Sequence, residues 1–257
     1  MSNIFNASRF QQLFRKHTFE NYRNYVMSIA VLFGMLAIVY LLFIVGSTSN
    51  TIKLRIIGLI SIYLFAGSIF TSSVFADFTG KRRAIFSLTL PASHFEKYLV
   101  GWVFSFLIFT VIYLIIYAIV DYSFIPFSLS DDKRTLITLI NQGHFPSGMF
   151  LYYAFLHSVM IYGAIRFQNA HFIKTATALF IAILVLCTSH AWFLESLISE
   201  ELGFTLPLMN IITNNTSVIL RVRLEEYEKF IYTGLISIGF AITLWTAAYY
   251  SLKEKVI

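Results

Sequence analysis

Six long apolar runs constrain this chain more than any other feature of its sequence. Each is about 20 residues long, the length that an α-helix needs to cross a hydrocarbon core about 30 Å thick. Within them the single Asp, Glu, Lys or Arg is Arg55, at the edge of the second run. We predict six transmembrane helices with these approximate bounds: Tyr25–Gly46, Leu54–Ala76, Tyr98–Val120, Gly148–Ile165, Thr175–Leu194 and Phe230–Leu252.

Composition excludes a water-soluble fold. The chain has 257 residues, of which 58% are hydrophobic and 12% are charged, about half the ~25% charge of a typical soluble domain. One cysteine, Cys187, excludes an intrachain disulfide framework. The predicted fold class is therefore an all-α polytopic integral membrane protein, with one transmembrane domain at 25–252 and a short tail at 253–257.

Basic residues orient the six helices, because cytoplasmic loops carry an excess of Lys and Arg. If the N-terminus is cytoplasmic, the inner segments hold twelve Lys and Arg residues and the outer loops hold seven. We therefore expect a multi-pass protein of the cell (inner, cytoplasmic) membrane with both termini in the cytoplasm.

We expect no cleaved signal peptide, because the first 24 residues are polar and the first apolar run is too long for a signal-peptide core. Phe10, Leu13 and Phe14 follow helical spacing, while Arg15 and Lys16 take other positions. This pattern predicts an amphipathic helix in the cytoplasmic membrane interface over 1–24. The alternative is a solvated basic lead-in to the first span.

The largest predicted cytoplasmic loop, residues 77–97, carries the densest basic cluster of the chain. Pro91 breaks the backbone there, and Ser93 with Glu96 forms an S-x-x-E capping box that starts the next helix. The loop is interpreted either as a membrane anchor or as a docking element for a cytoplasmic partner. Its candidate docking residues are Lys81, Arg82, Arg83, Phe86, Leu88, Leu90 and Pro91.

The arrangement resembles the permease subunit of type-2 exporters among the ATP-binding cassette transporters. The features that carry the resemblance are the amphipathic lead-in, the six spans, and a first cytoplasmic loop that ends in "SLTLPASHFEKYLVGW". The resemblance implies that two permeases, as a homodimer or a heterodimer, form the pathway. It also implies that separate ATPase subunits bind the loop between spans two and three.

The resemblance implies that ATP hydrolysis takes place on a partner subunit, and the sequence agrees, because this chain has no G-x-x-x-x-G-K-[ST] motif. Its single Gly-Lys pair is Gly80-Lys81, with Phe75 at the position of the first glycine. We expect no enzymatic activity, metal site or cofactor in the chain itself, with ATP and magnesium on the ATPase, and no nucleic-acid partner.

An ion- or proton-coupled carrier is one alternative, and a non-transporting assembly factor or enzyme is another. Carriers generally use buried acids or broken helices, and the six predicted spans contain neither an acid nor a proline. His157 lies mid-span and is interpreted either as functional or as a neutral histidine bonded to a neighbouring helix through Ser or Tyr. Ser68, Thr71 and Ser72 are interpreted as interhelical donors that either line a pathway or hold helices together.

The outer segment 195–229 is apolar in its middle, and Pro207 prevents one continuous helix. We predict two short re-entrant elements there that cap the pathway on the outer leaflet. The alternative is a loop packed on the neighbouring outer loops.

Overall fold

All regular structure in the described part of the chain is helical. The computed structural model describes residues 5–46, 51–76, 78, 92–124, 147–167, 169–198 and 226–254. Within these ranges six helices are long and apolar enough to cross a membrane, which confirms the predicted all-α polytopic fold. They are α1 (Ala7–Gly46), α2 (Thr51–Ala76), α3 (His94–Phe124), α4 (Ser147–Arg166), α5 (His171–Ile198) and α6 (Glu226–Lys253).

Five of the six helices begin and end within four residues of the predicted bounds, and α1 is the exception. It begins at Ala7 instead of Tyr25 and continues for 40 residues. The predicted amphipathic segment and the first span therefore form one unbroken helix. The reason is local, because no Gly or Pro occurs between Ala7 and Phe33 to end the helix before the apolar run begins.

Helix α4 lies at the centre of the bundle and packs against α2, α5 and α6. Helix α1 packs mainly against α3. One apolar core joins α1, α2, α3 and α4 around Tyr63, Tyr113 and Tyr153. A second core joins α2, α3, α4 and α6 around Phe75, Ile161 and Leu252. The two cores lie on either side of a polar cluster that the next subsection describes.

Helix α3 contains one π-helical segment, Val103–Ile108, between α-helical segments at His94–Trp102 and Phe109–Phe124. A π-helical turn adds a residue to the turn and occurs frequently at functional sites. Ser105 lies in this segment and is fully buried. The irregular turn therefore marks the part of the bundle where polar side chains meet.

Candidate functional site

A buried hydrogen-bonded cluster joins α3, α4 and α6 in the middle of the bundle. His157 of α4 is 0% exposed. Its Nε2 lies 2.8 Å from Oγ of Ser105 on α3, and Nε1 of Trp245 on α6 donates to its Nδ1 at 3.2 Å. An indole nitrogen can only donate, so Nδ1 accepts and we assign the imidazole proton to Nε2. The expected bond from His157 to a serine of a neighbouring helix is confirmed.

Ser105 contributes both its side chain and its backbone to this cluster. Its hydroxyl donates to the Gly101 carbonyl at 2.8 Å, so the hydroxyl oxygen can accept from His157. The Ser105 carbonyl accepts a hydrogen bond from the Tyr153 hydroxyl of α4 at 2.6 Å. One π-helical residue thus holds two α4 side chains at once, which fixes α3 against α4 at this depth.

Tyr153 extends the cluster to α2. Its hydroxyl lies 3.4 Å from Oγ1 of Thr71, and a Cβ on Gly67 would collide with its ring. Glycine at position 67 therefore lets α2 approach α4 closely, as small residues do between membrane helices. Of the predicted pathway residues, Thr71 and His157 are brought together here through Tyr153 and Ser105.

The predicted role of the α2 hydroxyls as interhelical donors is corrected for Ser68, whereas Thr71 bonds within α2 and also contacts Tyr153 of α4. Ser68 donates to the Leu64 carbonyl at 2.7 Å, and Thr71 donates to the Gly67 carbonyl at 2.7 Å. Bonding to the carbonyl four residues earlier satisfies a hydroxyl locally in an apolar helix. Ser72 is buried on the same helix. Within the described residues, Ser68 and Ser72 lie outside the hydrogen-bonded cluster.

A second polar site lies at the start of α3, where the predicted capping box is confirmed. Ser93 accepts from the Glu96 backbone N–H at 3.1 Å, and the Glu96 carboxylate accepts from the Ser93 N–H at 2.9 Å. The same carboxylate also accepts from the Asn6 N–H at 2.7 Å and from Nη2 of Arg9 at 3.1 Å. Glu96 is 0% exposed. It therefore joins the N-terminal segment to the first turn of α3.

The apolar face of the N-terminal segment packs on α3. The ring centroids of Phe14 and Phe104 are 4.6 Å apart, Phe10 contacts Phe14, and Leu13 is half-buried. On the other side Arg15 lies over the Phe19 ring and Lys16 pairs with Glu20 at 3.5 Å. The amphipathic pattern is thus used in packing against α3, and the position of this segment at a membrane surface stays a prediction.

A third polar site, which is not among the sequence predictions, lies near the opposite end of α1. Helix α3 continues to Phe124, so Asp121 belongs to the helix and is only 3% exposed. The Tyr40 hydroxyl of α1 donates to Asp121, and the Arg55 guanidinium of α2 lies 5.2 Å from the centre of the Tyr40 ring. Arg55 is 1% exposed. The expectation that the spans hold no buried acid is therefore wrong.

Asp121 was missed because the predicted third span ended one residue before it. A signal was present in the sequence: Tyr113, Tyr117 and Asp121 recur every four residues and so share one helix face. All three side chains are buried. Because Asp121 continues the face of Tyr113 and Tyr117, the end of the third span belongs after Asp121 and not before it.

Two sets of predicted residues lie outside the described residues. The first is the candidate docking set Lys81, Arg82, Arg83, Phe86, Leu88, Leu90 and Pro91. The second is 199–225, which forms most of the predicted re-entrant segment. Their predicted roles stay predictions.

Comparison of the chain with protein-family models, curated proteins and solved structures gives no match. The fold therefore defines the class of this protein: an all-α, multi-pass membrane protein with six apolar helices in its described residues. Its three buried polar sites are the best candidates for function, because buried ionisable groups in membrane helices are costly and usually have a role.

Proposed function

We propose that this chain is the transmembrane permease subunit of an ATP-driven exporter of the type-2 ATP-binding cassette family. It would form the translocation pathway with a second copy or a paralogue in the cytoplasmic membrane, with both termini in the cytoplasm. Separate ATPase subunits would bind its loop at 77–97. Six membrane-spanning helices and the sequence resemblance support this assignment.

The observation that carries the proposal is the position of Glu96. It lies at the C-terminal end of the predicted docking loop, in the first turn of α3, and it bonds to Asn6 and Arg9 at the start of α1. A displacement of the loop by a bound partner would therefore reach α1 and α3 together. A transporter driven from the cytoplasm needs such a connection, because the energy source and the pathway are on different polypeptides.

Within the loop, different residues would serve different ends. Lys81, Arg82 and Arg83 would orient the partner and hold the loop at the anionic membrane surface. Phe86 and Leu88 would supply the buried contact, since a few central apolar side chains carry most of an interface's energy. Pro91 and the capping box would keep the connection to α3 stiff.

The test is affinity purification of the full chain from mild detergent, followed by mass spectrometry of the proteins retained. We expect an ATPase polypeptide with a phosphate-binding G-x-x-x-x-G-K-[ST] motif, and we expect the double substitution Phe86→Ala and Leu88→Ala to remove it. Phe127→Ala with Leu129→Ala, in the predicted outer loop, is the matched control and should retain it. Normal retention by the first variant, at normal abundance, would contradict the docking role.

An ion- or proton-coupled carrier is the second candidate, and buried Asp121 is the observation that favours it. Ionisable groups at membrane depth mark ion and proton routes in many transporters. Asp121→Asn keeps the size of the side chain but removes its charge. If the chain is a carrier, vesicles with the native protein and no ATP should show transport driven by a proton or sodium gradient. Vesicles with the Asp121→Asn variant should lose that transport. Transport that needs ATP and ignores both gradients would leave the exporter as the better assignment.

A further inference from the structure

Helix α1 is attached to α3 at both ends by buried carboxylates. At one end Glu96 binds Asn6 and Arg9, and at the other Asp121 accepts from Tyr40. Twenty-five residues separate Glu96 from Asp121, which is roughly 35–40 Å of helix at ~1.5 Å per residue. The two attachments are thus about one bilayer apart, and the part of α1 between them lies at hydrocarbon depth.

Between these attachments α1 leaves a gap in its packing. Val31, which lines this gap, is 65% exposed. A cavity of about 490 Å³ lies between α1, α2 and α3. Its walls include Val31, Met35, Phe65, Ile69, Phe109 and Ile112. Several of these side chains are exposed, among them Val31, Met35 and Phe65. The cavity is therefore open on the side of the bundle that faces lipid.

The two ends of the cavity differ in polarity. Tyr25 stacks on Phe104 at the end nearer Glu96, and the polar lining residues Asn24, Ser28 and Ser73 belong to this end. The opposite end is lined by apolar side chains such as Met35 and Ile116. The cavity therefore has the polarity of an amphipathic molecule that lies along the membrane normal.

A basic residue, Arg23, directly precedes the polar lining residue Asn24 on α1. Arg23 is exposed and precedes the lining residue Met27 by one helical turn, so the two share a face of α1. Helix α1 carries four basic residues and one acid, Glu20, all in its N-terminal half. An anionic headgroup would be attracted to this end of the cavity.

The cavity is long enough to hold part of an acyl chain. The lining residues on α1 run from Asn24 to Met35, a length of about 16 Å at ~1.5 Å per residue. The volume of about 490 Å³ falls within the ~300–1,000 Å³ of small-molecule sites.

We propose that this cavity binds one acyl chain of an anionic membrane phospholipid, with the headgroup at Asn24 and Ser28 beside Arg23. The surrounding leaflet supplies the lipid. The bound chain completes the packing of α1 against α2 and α3 between the two carboxylate attachments. This inference is independent of the transported substrate and of the energy source.

Photocrosslinking of the full chain in vesicles of phosphatidylcholine and phosphatidylglycerol tests the proposal. The probe is phosphatidylglycerol with a diazirine in one acyl chain, and peptide mass spectrometry locates the products. We expect enriched labelling of α1, α2 and α3 around the cavity, compared with the exposed face of α5. Unlabelled phosphatidylglycerol should compete for these positions better than phosphatidylcholine does.

Two substitutions fill the cavity from opposite walls: Ala66→Trp on α2 and Met35→Trp on α1. Each should reduce the cavity labelling several-fold, and Ala182→Trp on the exposed face of α5 is the matched control. Arg23→Gln should reduce the preference for the anionic lipid about fivefold, the effect of one cation near an anionic surface. Lys174→Gln, which removes an exposed cation on α5, should leave that preference unchanged.

Uniform labelling of all exposed helix faces, without preferential competition by phosphatidylglycerol, would overturn the proposal. Cavity labelling that both tryptophan variants retain, in protein that elutes as a single folded species, would also overturn it. Crosslinks from the cavity to a second copy of the chain would assign the cavity to a protein interface and equally count against a lipid. Labelling lost in either tryptophan variant, with the control unchanged, supports the lipid site.

Discussion

Arg9 and Glu96, 87 residues apart in sequence, form an ion pair with 3.1 Å between Nη2 and Oε1. The carboxylate is fully buried and the arginine side chain is 38% exposed. Glu96 also caps its own helix, so one side chain closes the first turn of α3 and fastens the start of α1. Glu96 therefore contributes both to the capping of α3 and to the packing of α1 on α3.

We predict that Glu96→Gln lowers the free energy of unfolding by about 2 kcal/mol, because charge-assisted hydrogen bonds each contribute roughly 1.5–3 kcal/mol. Equilibrium unfolding in mixed micelles with SDS measures the change. Glu20→Gln is the control, since its exposed pair with Lys16 should contribute well under ~1 kcal/mol. Equal effects of the two substitutions would show that the buried contacts of Glu96 add nothing.

The His157 cluster predicts energetic coupling between helices. His157→Leu removes the donor to the Ser105 hydroxyl and the acceptor of the Trp245 indole, and we expect a loss of about 3 kcal/mol because two hydrogen bonds are lost and the indole N–H is left without its acceptor. Trp245→Phe removes the indole donor alone. In a double-mutant cycle the two substitutions should be non-additive by at least ~0.5 kcal/mol, as expected for residues in one hydrogen-bonded network. Strictly additive effects of the two substitutions would show that Trp245 and His157 are not energetically coupled.

Two glycines at membrane depth should respond in opposite ways to alanine. Gly67→Ala places a Cβ against the Tyr153 ring, and we expect destabilisation by about 1–3 kcal/mol. Gly34→Ala meets no atom within 4 Å and should be neutral or stabilising by up to ~1 kcal/mol, the helix propensity difference. Thermal unfolding in detergent distinguishes the two. A neutral Gly67→Ala would contradict the close approach of α2 to α4.

Orientation is testable with cysteines and an impermeant thiol reagent on intact cells. Native Cys187, which is buried in α5, is replaced first. Ser87→Cys and Lys255→Cys should be protected from outside, whereas Ser130→Cys and Asn214→Cys should react. Reaction at Ser87→Cys from the outside would invert the proposed topology.

The six spans could be predicted because apolar length alone determines them. The capping box was also predictable, since Ser93 and Glu96 are three residues apart and act within one helical turn. The bonds from Glu96 to Asn6 and Arg9 could not be predicted, because they depend on how α1 packs on a helix almost ninety residues away.

The burial of Asp121 and the π-helical turn at Val103–Ile108 were not predicted, for different reasons. A charged residue normally ends an apolar run, so the end of the third span was placed before Asp121. Its burial depends on Tyr40 from another helix. The π-helical turn has no apolar repeat of its own, since the sequence around Ser105 is uniformly hydrophobic. His157, in contrast, was recognisable because a lone ionisable group stood among apolar residues.

The π-helical turn sets the rotational phase of the second half of α3. An α-helix advances by 100° per residue at 3.6 residues per turn, so one inserted residue turns everything that follows by about that angle. The contacts of Tyr117 and Asp121 with Tyr40 depend on this offset. Deleting a single residue from Val103–Ile108 would restore a regular helix, yet it would rotate Asp121 away from its partner and towards lipid. One extra residue in the middle of α3 thus sets the rotation of its second half relative to its first. The first half can then keep its contacts near Glu96 while the second half presents Asp121 to Tyr40.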